Sequence, residues 1–310
     1  MRCDDAGRSV MMIGDAAFRT LDARSWDVAR RIDDMDRDGV ALQVLSPMPE
    51  LLSFWLPRDD AAVLCDCANH QIAEMIARAP TRFRGLGAVP LQDPVAAAAR
   101  LPDLRRRFGL SGVEIGSNIA GIMLGDPQFD PFWQAAEAEN LAVFVHALHP
   151  VAAKAANADR AYAAHALFPV DVGMAASSLL MNGVIDRFPG LRIGFSHGGG
   201  TLAAVLGRLE MGWSRTGGFG GRSPSSPRDA ARRLFYDSNV YDRDYLAHLA
   251  SRVAPGQVFV GTDYPYDIMQ AAPADYIGGA GLDSAALDSL RFGAAAAFLA
   301  ETRLPAGRVA

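Results

Sequence analysis

One pattern recurs along the 310-residue chain and constrains its fold more than anything else. A short β-branched or aromatic run ends on a polar or small residue, a loop follows, and an Ala/Leu/Arg segment with helical spacing comes next. Seven runs fit: 40–46 (VALQVLS), 84–90 (RGLGAVP), 112–117 (GVEIGS), 141–147 (LAVFVHA), 191–197 (LRIGFSH), 234–239 (LFYDSN) and 257–263 (QVFVGTD). They are continuously apolar rather than alternating, as parallel strands covered on both faces should be. Helical segments are expected at 26–38, 94–108, 129–139, 170–187 and 201–213. The first places Val28, Ile32 and Met35 on one stripe and stops at Gly39.

Regular βα alternation gives a parallel α/β architecture, either an open doubly wound sheet or a closed barrel. Length favours the barrel, which needs roughly 250 residues and eight strands. Seven runs are found, and Ser9–Met12 is too short and isolated to be a barrel strand with its own helix. The expectation is a single 1–310 domain, a distorted (β/α)8 barrel whose first βα unit is missing or truncated. Two stretches break the rhythm. Residues 151–169 are Ala-rich and follow a strand end, where a lid over the site or an ordinary surface helix fits. Residues 216–227 (TGGFGGRSPSSP) read as a mobile surface loop.

Composition narrows the class. Thirty Lys+Arg against 35 Asp+Glu, a net charge of −5, argue against a dedicated nucleic-acid binder. No apolar run is expected to reach the ~20 residues of a membrane helix. MRCDDAGRSV carries no hydrophobic leader core, so a soluble cytoplasmic protein is expected. Cys65 and Cys67, two apart on a helix, point to nearly opposite sides and cannot bridge or share a metal.

Reactive groups of a parallel barrel gather at the carboxyl ends of its strands. Three ionisable residues close apolar runs there: His146, His197 and Asp263. Imidazole nitrogen and carboxylate oxygen are natural zinc ligands, and a further imidazole beside the metal is a natural acid/base. His149 could approach the metal, although an exposed loop histidine fits it better; His70, His165 and His248 read as structural or surface residues. Gly198–Gly200 could offer backbone N–H groups to an anion or simply make a tight βα turn. With no G-x-S-x-G elbow, dinucleotide G-x-G-x-x-G or Walker lysine motif, serine-hydrolase, nicotinamide and nucleotide-triphosphate chemistry lack support. Arg19, in AAFRT outside any strong periodic element, and Arg208, about 12 Å along the helix after the glycine turn, suit a carboxylate substrate. Arg208 is too far along to reach back into its own pocket and is placed to reach a neighbouring subunit.

FVHA at 144–147, FSHGGG at 195–200 with GR at 207–208, and GTDYP at 261–265 resemble the aminocarboxymuconate-semialdehyde decarboxylase group of the amidohydrolase superfamily. FR at 18–19, DDMDRDGVALQVLS at 33–46, FRGLGAVPLQDP at 83–94 and GVEIG at 112–116 extend the likeness over nearly the whole chain. The resemblance implies a distorted barrel of the metal-dependent hydrolase type, with one divalent metal, usually zinc, and commonly a homodimer. It implies that His146 and Asp263 bind the metal and that His197 is the catalytic histidine acting on its water, with Asp263 sharing proton transfer. Arg19 would hold a substrate carboxylate in the same subunit and Arg208 would be lent across the dimer. The group's first strand carries an H-x-H pair that completes the metal site; none occurs here, and the likeness begins at about GRSVMMIGDAAFR. The group's tryptophan-containing loop is not matched within 151–169, and Tyr266–Asp267 replace its usual residues after DYP.

The leading expectation is therefore a metal-dependent carboxy-lyase acting on a small unsaturated or aromatic carboxylic acid. A hydrolase opening a lactone, amide or C–C bond on the same scaffold is the alternative. A catalytically impaired barrel is the second.

Overall fold

A computed structural model describes residues 2–3, 9–13 and 15–301. Seven strands form one parallel sheet: β1 (Gln43–Leu45), β2 (Phe83–Gly87), β3 (Gly112–Gly116), β4 (Ala142–His146), β5 (Arg192–Phe195), β6 (Phe235–Asp237) and β7 (Val258–Phe259). Each coincides with one of the seven apolar runs, β2 starting one residue ahead of its run at Phe83. Their spatial order follows the chain from β1 to β7 without reversal. A doubly wound sheet reverses its order at a switch point, whereas a barrel does not, so the open-sheet alternative is set aside. Among the described residues β7 and β1 are not paired, and a seam lies between them.

The continuous apolar character of the strands reflects two cores. Outward residues Val113, Ile115, Val143, Val145, Ile193 and Phe195 pack under the helices. Inward residues Leu86, Phe144, Phe235 and Phe259 fill the lower lumen with Phe298 of the helix Ala294–Leu299. Phe298 stands 5.1, 5.4 and 6.5 Å from the rings of Phe259, Phe235 and Phe144 and stoppers that end. The opposite end, where the strands finish, is left to polar side chains.

The helices begin where their caps put them. Asp27 accepts the N–H groups of Ala29 and Arg30 to start Val28–Arg37, and Gly39, at φ 70°, ends the turn after it. Asp93 caps Pro94–Arg106 from Ala96 N–H in the same way. Helices Asp130–Ala138, Phe168–Met181 and Leu202–Arg215 fall at the expected places.

Two expectations change. Arg19 does lie on a regular element: Ala16–Leu21 pairs antiparallel with Ser9–Ile13 in a hairpin separate from the barrel sheet, its pattern blurred by a register shift at Met11/Met12. Within the surface stretch 216–227 the backbone makes a left-handed turn through Gly218–Gly220, and Trp213 Nε1 donates to Ser223 O at 2.8 Å. A stretch of membrane-spanning length and composition does exist, Arg160–Met181, with 22 residues and mean hydropathy 1.3. Asp171 and Pro169 interrupt it in sequence, and its Val172, Ala175, Ala176 and Leu179 are buried in the protein core.

Candidate active site

Each predicted side chain is placed by a strand end. His146 is the last residue of β4, opposite Gly116 of β3. His197 follows β5 after Ser196, and Asp263 follows β7 four residues on. One ligand atom from each of His146, His197 and Asp263 can be chosen so that all lie within 4.8 Å of one another. The two imidazole centroids are 5.2 Å apart. His146 Nδ1 lies 2.8 Å from Ala147 O, and a carbonyl can only accept, so Nδ1 carries the proton and Nε2 keeps its lone pair. Asp263 Oδ2 accepts from the Tyr241 hydroxyl at 3.3 Å.

The backbone is forced at these positions. His197 (φ 55°), Tyr241 (φ 56°) and Asp263 (φ 57°) all occupy the left-handed region, which costs a non-glycine residue of order 1 kcal/mol or more. Packing holds them there. Asp237, at the end of β6, accepts the N–H of Gly198 at 2.8 Å and of Asn239 at 3.1 Å, which ties the turn carrying His197 to the next strand.

Gly198–Gly200 is this turn and not an anion cradle. Gly198 N–H goes to Asp237, Gly199 N–H to Ser196 O at 3.0 Å and Gly200 N–H to His197 O at 2.8 Å, so all three donors are engaged. Glycine is required for space: a Cβ at Gly198 would stand 2.4 Å from Val240 Cγ1, and one at Gly200 1.9 Å from Pro169 O.

Burial sets the electrostatics. Desolvation, reinforced by His146 and opposed by Asp263, pushes the His197 imidazole down to about 4, so it is neutral near pH 7. Below His146 in the lumen, desolvation raises the fully buried Glu114 carboxyl to about 7, against the pull of His146. Desolvation likewise lifts Asp237 to about 7, against its bond from Gly198.

These groups border a cleft of about 1300 Å³ along the β1–β7 seam. Glu114, His146, Asp237 and Asp263 line it together with the apolar Phe144 and Phe259. Arg19 stands beside it: its Nη2 pairs with Glu50 at 2.7 Å and its guanidinium lies 4.7 Å over the Tyr266 ring. From the 151–169 stretch, the Phe168 ring lies 6.2 Å from the His146 ring and 6.4 Å from the His197 ring.

Other predicted residues lie elsewhere. Arg208 is exposed on Leu202–Arg215. His149 is exposed, its ring 4.7 Å from Trp55, while His70, His165 and His248 are on the surface. Cys65 is buried and Cys67 exposed, both unpaired. Sequence reasoning missed Glu114, Asp237, Tyr241 and Tyr266. The first two had a signal, a carboxylate within an apolar strand run.

The cluster fits a single divalent cation. Two imidazoles and a carboxylate are a donor set for zinc and related ions, whose ligand atoms stand roughly 3–3.5 Å apart at bond lengths of ~2.1 Å. Small side-chain rotations close the observed 4.8 Å span to that value.

The amidohydrolase family model matches residues 16–299. The 2-amino-3-carboxymuconate-6-semialdehyde decarboxylase of Dictyostelium discoideum is 33% identical over 275 residues, covering 87% of this chain and 75% of its own. The 5-carboxyvanillate decarboxylase of Sphingomonas paucimobilis superposes with a TM-score of 0.77 at 27% identity, covering 88% of this chain and 83% of its own. A dihydroxybenzoic acid decarboxylase from Polaromonas sp., solved with bound manganese and 2-nitroresorcinol, has a TM-score of 0.77 at 24% identity, covering 92% and 88%.

Proposed function

Since the chain belongs to the amidohydrolase family, in the branch of the aminocarboxymuconate-semialdehyde decarboxylases, we propose that it is a metal-dependent carboxy-lyase. Its substrate is a small aromatic or unsaturated carboxylic acid, which loses CO2 without net oxidation. The observation that carries the reading is the convergence of His146, His197 and Asp263 from three strands on one point beside an open cleft.

The net reaction replaces a carboxylate by a proton. A proton adds to the carbon bearing the carboxylate, using a π pair; the bond to CO2 then breaks and its electron pair restores the π system. His146 and Asp263 would hold the cation, with His197 at its edge. When bound, that ion supplies Lewis acidity to the oxygens of the substrate. His197, neutral near pH 7, accepts a proton at the cluster, and Asp263, oriented by Tyr241, shares its transfer to carbon. Arg19, steadied by Glu50 and Tyr266, faces the substrate carboxylate.

Zinc suits the donor set, and the manganese of the Polaromonas enzyme suits it too. We also read the chain as a homodimer in the cytoplasm. Val205 and Met211 are exposed on the helix that carries Arg208, beside exposed Met174, an apolar patch that a second copy would cover while lending Arg208 to its partner. Unpaired Cys65 and Cys67 fit a reducing compartment.

The test is product analysis with zinc- or manganese-loaded protein and a panel of hydroxybenzoic and unsaturated acids. Release of CO2 with the matching decarboxylated product is expected. Ring or ester opening without loss of CO2 sinks the reading in favour of a hydrolase, and inertness together with no metal uptake points to an impaired barrel.

A further inference from the structure

Arg31, on the helix Val28–Arg37, is a buried cation without an anion. It is 9% exposed and lines the cleft, yet no carboxylate of the described residues lies within ion-pairing distance. The acidic groups around it are engaged elsewhere. Asp22 pairs with Arg24 at 2.7 Å, Asp34 with Arg37 at 2.7 Å, and Glu50 with Arg19 at 2.7 Å. Among the described residues its guanidinium makes one hydrogen bond, from Nη1 to the neutral Gln43 Oε1 at 2.9 Å. Its Nε is buried with no partner. Its guanidinium lies 5.1 Å from the centroid of the Tyr264 ring, and that hydroxyl donates to Asp34 at 2.8 Å, which fixes the ring.

This geometry leaves one edge of the guanidinium unmatched. Nη1 is held by Gln43 and one face by Tyr264, while the Nε–Nη2 edge makes no hydrogen bond to the described residues. That edge is the pair of parallel N–H groups that carboxylates engage in bidentate fashion. Burying an uncompensated charge is unfavourable unless an anion completes the site. Tyr264 directly follows Asp263, so the stacked guanidinium sits beside the loop that delivers Asp263 to the cluster.

We propose that Arg31 is an anion subsite of the cleft, which takes a second acidic group of the substrate through its Nε–Nη2 edge. The preferred substrate is then a dianion: an aromatic or unsaturated acid with a further carboxylate or an acidic hydroxyl, not a simple monoacid. The assignment of that ligand to a substrate rests on the carboxy-lyase reading; the anion subsite itself does not.

The experiment uses isophthalate and benzoate as probes, titrated calorimetrically into the full chain, once with Mn²⁺ and once with EDTA. Wild-type protein should bind isophthalate about ten-fold tighter than benzoate under both conditions, because a forked guanidinium needs no metal. Arg31→Met should bring the two acids to within about two-fold of each other, and Arg31→Lys, a point charge without the fork, should fall between. Arg19→Met should weaken both acids alike. A wild-type ratio near one overturns the proposal, as does an unchanged ratio in Arg31→Met or a ratio abolished by Arg19→Met. Should Arg31→Met not fold, Arg31→Lys decides, and an unaltered ratio in it overturns the subsite. A persistent ratio in a protein that releases no CO2 from any acid supports the subsite while sinking the carboxy-lyase reading.

Discussion

The two flanks of the barrel treat buried polar groups in opposite ways. On the flank of the helices Phe168–Met181 and Arg58–Arg78, Asp171 is 1% exposed and fully served: it accepts from Ser117 Oγ, from Asn118 Nδ2 at 2.9 Å and from Val151 N–H at 2.9 Å. Asn69 accepts from Ala88 N–H at 2.7 Å and donates to Ala88 O at 3.0 Å. Toward the lumen and the β1–β7 seam, Glu114 is 2% exposed and has only a weak interaction with Ser46, and among the described residues Glu50 Oε2 and Arg31 Nε are likewise unmatched. Buried polar groups are nearly always satisfied in a folded protein. Burial alone therefore does not mark function here. Burial without a partner does, and it concentrates where the cation cluster and the cleft are.

The contrast breaks if a satisfied group and an unsatisfied one respond alike to removal. Asp171→Ala leaves Ser117 Oγ, Asn118 Nδ2 and Val151 N–H buried without their acceptor. It should cost about 3–5 kcal/mol of folding stability, read as a shift of the urea midpoint, with cation affinity of the folded fraction unchanged. Asp263→Asn should do the reverse. Its Tm should hold or rise, while CO2 release falls at least about 10³-fold, equivalent to about 4 kcal/mol in the barrier. Comparable losses of stability in both variants would erase the distinction between the flanks.

The same contrast explains what could be read from the letters alone. The seven strands were legible because each is apolar on both faces, one toward the helices and one toward the lumen, which leaves no alternation to confuse them with surface strands. His146, His197 and Asp263 were legible because each ends such a run. Glu114 and Asp237 were not, since a lone charge in a strand reads the same whether it faces solvent or the lumen. Arg31 sits in ARRIDDMDR, a segment that looks like a solvated helix face; only its burial, with Asp22, Asp34 and Glu50 each paired to another arginine, shows it stranded. The glycine run stayed open between an anion cradle and a tight turn for a related reason. Whether its N–H groups are open depends on Asp237, thirty-nine positions away from Gly198.

Glu114 sharpens the comparison through pH. Its carboxyl is raised from 4.5 to about 7 by burial, so between those values the folded protein holds a proton that the unfolded chain releases. The stabilising effect of that proton is complete below pH 4.5 and is lost as pH rises through about 7. Glu114→Gln has no such loss. Measured in EDTA, the variant's stability relative to wild type should climb from pH 4.5 to pH 8 by at most about 3 kcal/mol, and Asp237, raised alike in both proteins, cancels. A difference independent of pH would mean that Glu114 is partnered in solution and does not belong with the unmatched groups.

The smallest effect should come from a satisfied group inside the site. Ser196 is 2% exposed, and its Oγ lies 3.1 Å from His197 Nδ1. Because His197 is neutral near pH 7, one ring nitrogen carries the proton; with Nδ1–H donating to Ser196, Nε2 presents its lone pair to the cluster. Ser196→Ala removes this orienting bond but not the packing that holds the turn, since Gly198 N–H remains on Asp237. The loss of one neutral hydrogen bond, about 0.5–1.5 kcal/mol, should lower kcat roughly two- to ten-fold with KM unchanged. A fall beyond a hundred-fold would show that the tautomer of His197 depends on Ser196 alone. A satisfied contact would then matter as much to the chemistry as an unmatched one, and the division between the flanks would not extend into the active site.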